Sequence, residues 1–333
     1  MSKHNLPKVS IIIPTKDRPK DLAELLLTIL KQSYPPFEVI IIDDSLIYST
    51  RKIVDFFKYK FELIGCQLKY IKGNNEGIPA ARNLGVKISK GEIVIFIDDD
   101  TLLEENTIKV LATFLKKNYL AMGIQPAITS KKESKNTEWI KLKNAIYKVL
   151  MLSYNEENTL KVRRSGTSIF PNNLTKIISA ERLSGCCCCF RKKVFKKLQF
   201  DTNLKSWAFM EDLDFSFRFY KMCSNSLYAT PQTKILHKGS KKIGLSPKQE
   251  IYMKTLYWFY VFFKNIYEGS MLNLILFLWS LAGNLIVNVG LLIKGKREFR
   301  CWTLIYLVGS YVLAFRNLRN IITRKLEFFH KNL

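Results

Sequence analysis

The chain has 333 residues, of which 47% are apolar and 24% charged, a composition that excludes a disordered polymer and leaves room for one large domain with an extension, or for two domains. The net charge of +25 is uneven, with +3 in residues 1–120 and +22 in residues 121–333. A field of that sign attracts polyanions: phosphates, nucleic acid or an anionic membrane face. The first eight residues carry no apolar run, so no signal peptide is expected. Residues 9–14 read as an apolar strand leading into Thr15, Lys16, Asp17, Arg18 and Pro19. Leu22, Leu25, Leu26, Ile29 and Leu30 then repeat at helical spacing, with Asp17 and Pro19 as start signals and Tyr34-Pro35-Pro36 as the stop. Residues 37–42 form a second apolar strand that runs into Asp43, Asp44 and Ser45. A helix over about 49–60, a strand over 67–71, a glycine-bearing loop at 73–77 and a helix through Ala81-Arg82-Asn83-Leu84-Gly85 follow.

Residues 92–101 read Glu-Ile-Val-Ile-Phe-Ile-Asp-Asp-Asp-Thr. The apolar run predicts a strand buried on both faces, as in a parallel sheet, and the carboxyl ends of such strands hold ligands. Three adjacent carboxylates repel one another and resist burial. A divalent cation is the simplest reason for them to stand together, since hard cations take carboxylate and phosphate oxygens. A helix over 104–117 places Ile108, Leu111, Phe114 and Leu115 inward.

Strands alternating with amphipathic helices imply βαβ units and a parallel sheet with its strand ends on one edge. Asp43, Asp44, Asp98, Asp99 and Asp100 therefore share a crevice. No glycine-rich phosphate loop is present, which argues against an NAD enzyme or a P-loop NTPase and leaves a diphosphate to be neutralised by metal.

The stretches Val9-Ser10-Ile11-Ile12-Ile13-Pro14-Thr15, 39–45 ending in Asp-Asp-Ser, 75–85 ending in Ala-Arg-Asn-Leu-Gly, and 97–100, in that order and spacing, resemble the nucleotide-binding half of family 2 glycosyltransferases, with the GT-A fold. The resemblance covers about 240 residues. It implies an inverting transfer of a sugar from a nucleotide-diphospho-sugar to a hydroxyl, with Mg2+ or Mn2+ as cofactor. In this chain it puts Asp44 on the base, Pro14, Thr15 and Arg82 along the nucleotide, Asp98 and Asp99 beside the donor (Asp99 near the ribose), and Asp100 on the metal. Lys16 stands where relatives often carry an aromatic residue or Asn.

Residues 121–180 are basic and weakly patterned, with a loop over 130–138 and a helix over 139–154. Arg163-Arg164-Ser165-Gly166 reads as a solvated basic turn or a phosphate contact. Residues 181–190 are a strand containing Cys186, Cys187, Cys188 and Cys189. The seven cysteines are odd in number and form no disulfide framework, and consecutive strand residues alternate faces, so these four cannot close on one zinc ion. They read as small apolar filler in a reducing compartment. Next comes Trp207-Ala208-Phe209-Met210-Glu211-Asp212-Leu213-Asp214, resembling the acceptor-side block of the family, with the four cysteines making an unusual acceptor-facing surface. Inverting transfer needs a base opposite the leaving nucleotide. Asp212 is the expected base, with Glu211 as the alternative. His237 follows a short apolar run, and the resemblance makes it a metal ligand beside Asp100.

From residue 251 the chain turns aromatic and apolar, with 25 uncharged residues at 269–293, a basic stretch at 294–300, 15 uncharged residues at 301–315 and a basic tail. The first run is long enough to span a bilayer and the second is short. A basic loop between two spans opposes the positive-inside tendency, which favours helices in the cytosolic leaflet or a re-entrant pair. Asn273, Asn284 and Asn288 also weaken a span.

The expectation is an α/β protein of GT-A type with a mostly parallel central sheet, comprising a catalytic domain at 1–245 (a nucleotide-binding half at 1–120 and an acceptor-side half at 121–245) and a helical membrane-associating region at 250–333. Its expected partners are a nucleotide-diphospho-sugar, a glycan or lipid-linked acceptor and an anionic membrane surface, with the catalytic domain on the cytoplasmic side. No nucleic-acid motif appears. Sugar-nucleotide nucleotidyl transfer and non-catalytic basic binding of membrane or nucleic acid are the other readings. The first lacks its glycine-rich loop, and the second does not explain the acidic cluster.

Overall fold

The computed structural model describes residues 6–45, 49–130, 137–241, 243–293 and 301–330. β1 (Val9–Thr15) leads to α1 (Pro19–Leu30), β2 (Glu38–Asp43), α2 (Ser49–Leu63), β3 (Gln67–Lys72), α3 (Ile78–Ile88) and β4 (Ile93–Ile97). β5 (Thr101–Leu103), α4 (Thr107–Lys117) and β6 (Gly123–Ser130) follow. Then come α5 (Thr137–Val149) and three short strands, β7 (Tyr154–Glu156), β8 (Lys161–Val162) and β9 (Ser168–Pro171). β10 (Ile178–Ser179), β11 (Cys187–Arg191), α6 (Glu211–Met222) and β12 (Leu227–His237) precede the C-terminal helices α7 (Pro247–Asn265), α8 (Met271–Ile293), α9 (Cys301–Arg316), α10 (Leu318–Ile322) and α11 (Glu327–His330).

The described residues pack as two compact units, one within Met1–Glu133, Leu174–Trp207 and Glu211–Ile243, the other within Ser134–Asn173, Ala208–Met210 and Gly244–Leu333. The first holds a nine-stranded sheet in the order β10-β12-β6-β11-β4-β1-β2-β3, with β5 paired to β12. β3, β2, β1 and β4 are mutually parallel. β1, β2 and β4 are buried at every residue, as their unbroken apolar runs require. Alternate side chains serve opposite faces. Ile11, Ile13, Val39 and Ile41 meet the apolar stripes of α1, α2 and α4, while Ile40 and Ile42 meet Ala81 of α3.

The stretch read from sequence as weakly patterned contains β6, which lies inside the sheet, parallel to β12 and antiparallel to β11. Pro126 has no N–H for a ladder bond, and the β6–β12 register slips beside it, between Thr230 and Lys234. The helix expected over 139–154 is α5, and Tyr154 instead opens a strand.

β11 lies between β4 and β6, pairing Cys187 with Ile97, Cys188 with Phe96 and Cys189 with Ile95. All four consecutive cysteines are buried and free. They fill the sheet and form no acceptor-facing surface, which corrects that expectation. Burial pushes the Cys187 and Cys188 thiols well above their ordinary range, so they stay protonated.

In the second unit, β7, β9 and β8 form a small sheet. Ser246 and Gln249 cap α7 reciprocally, and Trp258 Nε1 donates to the Ser165 carbonyl at 2.9 Å. Residues 164–165 form a turn with Arg164 exposed, as the solvated-turn reading expects, while the Arg163 guanidinium is taken up by the carbonyls of Tyr147, Lys148 and Leu152. Among the described residues, α8 is long and apolar enough to cross a membrane, and α9 is apolar but shorter. The basic stretch at 294–300 lies outside the described residues.

Candidate active site

The carboxyl ends of β1, β2 and β4 bring the remote acidic residues to one edge. Thr15, at the end of β1, accepts the Asp44 N–H at its carbonyl and donates its hydroxyl to Asp99 Oδ2 at 2.7 Å. Asp44 Oδ1 accepts the Asn75 N–H at 2.9 Å. Its carboxyl is raised by burial, against the Asn75 and Gly77 N–H groups and the charge of Lys16. Gly73 permits this approach, since a Cβ there would stand 2.1 Å from Asp44 Oδ1. Pro14 lies in β1 opposite Ile42 and contributes backbone position. Lys16 reaches Asn75 Oδ1 at 2.8 Å, so it belongs to this loop cluster.

Past β4 the chain turns through the three aspartates into β5. β5 pairs with the end of β12, setting His237 opposite Thr101. That pairing brings residues from 98–100 and 237 together. Single ligand atoms of Asp98, Asp100 and His237 lie within 4.8 Å of one another, and His237 Nε2 is 3.2 Å from Asp100 Oδ1. Two carboxylates and an imidazole at that spacing fit a divalent cation that accepts oxygen and nitrogen donors. Burial pushes Asp100 up, but His237, the Ser240 N–H and Arg18 outweigh it and leave the carboxyl below its ordinary value. The hydrogen bond to Asp100 raises His237, against the effect of burial. Asp99 points away from this trio, to Thr15 and Arg18. Burial pushes it up to about 7 against both.

Arg82 joins the acidic groups. Its side chain is 1% exposed, and it donates to Glu211 Oε1 at 2.9 Å and to Asp98 Oδ1 and the Gly185 carbonyl at 3.1 Å each. The guanidinium stands over the rings of Phe96 and Phe200. α6 begins at Glu211, right after left-handed backbone at Ala208 (φ 39°) and Met210 (φ 71°), strained for residues with side chains. Burial, then the adjacent Asp212, push the Glu211 carboxyl up, and Arg82 opposes them. Asp212 Oδ2 accepts Arg182 at 2.6 Å and the Gly185 N–H at 3.0 Å, while Oδ1 accepts the Leu213 N–H.

Sequence reasoning missed Arg18 and Arg182. Arg18 is buried, donates to Asp99 Oδ1 at 2.9 Å and to the carbonyls of Ser240 and Lys241, and stacks on Trp207 at 4.6 Å. Arg18 thereby ties the segment after His237 to the aspartates. Its charge was visible in the sequence, but its partners are two backbone carbonyls more than two hundred residues away, which leave no pattern.

The chain belongs to glycosyl transferase family 2, whose model matches residues 10–199. Over 114 residues it is 32% identical to the poly(ribitol-phosphate) beta-N-acetylglucosaminyltransferase TarS of Staphylococcus aureus, a stretch covering 34% of this chain and 19% of that protein. Over 115 residues it is 33% identical to TarP of the same organism, covering 34% of each. The match to these curated relatives thus spans about a third of their length or less. Among solved structures, S. aureus TarS 1–349 superposes with a TM-score of 0.54 at 20% identity, covering 96% of this chain and 88% of that one. Its complex with UDP-GlcNAc gives 0.55 at 19% identity, covering 91% and 79%. GalNAc-T7 with UDP, GalNAc and Mn2+ gives 0.54 at 16% identity, covering 84% and 55%. At these identities the likeness shows the GT-A fold.

Proposed function

We propose that the chain moves a sugar from a nucleotide-diphospho-sugar to a hydroxyl acceptor in one inverting step. The observation that carries this reading is the convergence of Asp98, Asp100 and His237 within 4.8 Å, joined through Arg82 to Glu211 and hence to Asp212. Asp98, Asp100 and His237 would hold Mg2+ or Mn2+, which would supply positive charge to the departing diphosphate. Asp44, Thr15, Pro14 and Asp99 bind the nucleoside side of the donor. Arg82 holds Asp98 and Glu211 in place and balances their charge. Asp212 takes the acceptor proton. Arg182 and Gly185 fix its Oδ2, and Oδ1 retains a lone pair beyond the Leu213 N–H. Glu211 Oε1 accepts Arg82 just as Asp212 Oδ2 accepts Arg182, so Glu211 stays the alternative base.

Because TarS is solved with UDP and with UDP-GlcNAc, a uridine diphosphate sugar is the donor to test first. The acceptor is a surface glycan or a lipid-linked glycan, and the protein works on the cytoplasmic side of an anionic membrane. Radiolabelled donor is incubated with the protein, metal and either a lipid extract or a soluble wall polymer. Label entering one of these acceptors only with metal supports the reading. Hydrolysis of the donor with no acceptor product, under every metal tried, contradicts it.

A further inference from the structure

The second unit leaves lines of apolar side chains exposed on three helices. On α5 these are Leu142, Ile146 and Val149, the last 69% exposed. On α8 they include Met271, Ile275 and Trp279, one turn apart, and continue along the helix at Ile286, Val289 and Ile293. The two lines meet, because Trp279 Nε1 donates to the Val149 carbonyl at 2.9 Å. α9 is joined to α8 by the Asn284–Tyr311 hydrogen bond at 3.0 Å and adds Ile305, Val308 and Val312. The asparagines that weakened a span are used within the unit: Asn273 donates to the Ile266 carbonyl, Asn284 to Tyr311 and Asn288 to Asn284. Lys141, Lys143 and Lys148 are exposed along α5, and Arg316, Arg319, Arg324 and Lys325 are exposed from the end of α9 onward.

We propose that this surface lies flat in one leaflet of an anionic membrane, with α8 parallel to the bilayer plane. The proposal rests on the membrane association stated above and adds its geometry. α8 has the 23 residues a span needs, but its middle is already occupied. Ser280 donates to the Met151 carbonyl at 3.1 Å, and a Cβ on Gly283 would stand 2.7 Å from Leu150 Cβ. A crossing α8 would carry residues 149–151 to the hydrocarbon centre together with Lys148, where a charge is costly. Lying flat, the apolar lines enter the acyl boundary while the lysines reach the headgroups. A second copy of this face would set lysine against lysine, whereas anionic lipid neutralises them.

The test uses the full chain with Cys223→Ser, Cys301→Ser and Lys296→Cys, which puts the reporter thiol in the basic sequence between α8 and α9. Vesicles of phosphatidylcholine with and without phosphatidylglycerol are floated with the protein, and a membrane-impermeant maleimide is added to intact vesicles. Binding is expected only with phosphatidylglycerol, with the Lys296→Cys thiol labelled from outside. Lys143→Glu lowers binding by about fivefold, and Ile146→Glu with Val149→Glu lowers it by about tenfold or more, with an unchanged thermal unfolding transition as the folding control. Absence of vesicle binding overturns the membrane association itself. Binding with the Lys296→Cys thiol protected until detergent is added overturns the flat arrangement alone. Binding indifferent to the α5 variants, or self-association abolished by them, overturns the assignment of this face to lipid.

Discussion

Arg82 decides much at the scale of single residues. A guanidinium buried to 1% exposure is tolerable only because Asp98, Glu211 and the Gly185 carbonyl surround it. Arg82→Met leaves two carboxylates without their counter-charge, and denaturant unfolding should show a loss of about 3–5 kcal/mol. Asp212→Asn keeps the donor site intact. Turnover should fall by about 10²–10⁴-fold while donor affinity, read by calorimetry, stays put; unchanged turnover would remove Asp212 from the base role. His237→Ala should weaken metal binding by roughly tenfold or more, and equal affinity in a direct metal titration would release His237 from the ligand set. Arg82 and the aspartates were legible because they sit at the ends of apolar runs or in a short recognisable string. Arg18 and Arg182 were not, since nothing in the sequence marks which distant backbone carbonyl or helix-start carboxylate an arginine will meet.

At the scale of elements, the parallel strands β1, β2 and β4 could be read from continuous apolar runs that stop at carboxylates. β6 was hidden by Pro126, which counts against an interior strand, and β5 is too short at three residues to show a period. Yet β5 is what sets His237 beside Asp100. One buried group at the other edge of the sheet gives a pH signature. Burial pushes Glu38 up, but Lys69, Ser10 and the Lys90 N–H outweigh it, so its folded carboxyl lies below the ordinary value. Its stabilising contribution is therefore complete above the unfolded pKa of about 4.3 and is lost as pH falls through the lower folded value. Glu38→Gln should cost about 1.5–3 kcal/mol at neutral pH, and the gap to wild type should close on acidification. A gap that widened in acid would reverse that assignment.

For the whole molecule, the uneven charge and the uncharged C-terminal runs announced a region unlike the catalytic fold, but its construction was out of reach of periodicity. α5 and the small β7–β9 sheet pack with the C-terminal helices, held by contacts such as Trp258 to Ser165 that join residues 93 positions apart. The proposed activity rests on one physical idea, that Asp98 and Asp100 from the turn after β4 share with His237 of β12 a cation which acts on a nucleotide diphosphate. Thermal unfolding with uridine diphosphate sugars, each with Mn2+ and with a chelator, tests it most directly, because a ligand that binds only the folded chain raises the transition. The account predicts stabilisation by at least one such donor that requires the metal and disappears in Asp100→Asn. Equal stabilisation in the chelator, or in Asp100→Asn, would contradict it.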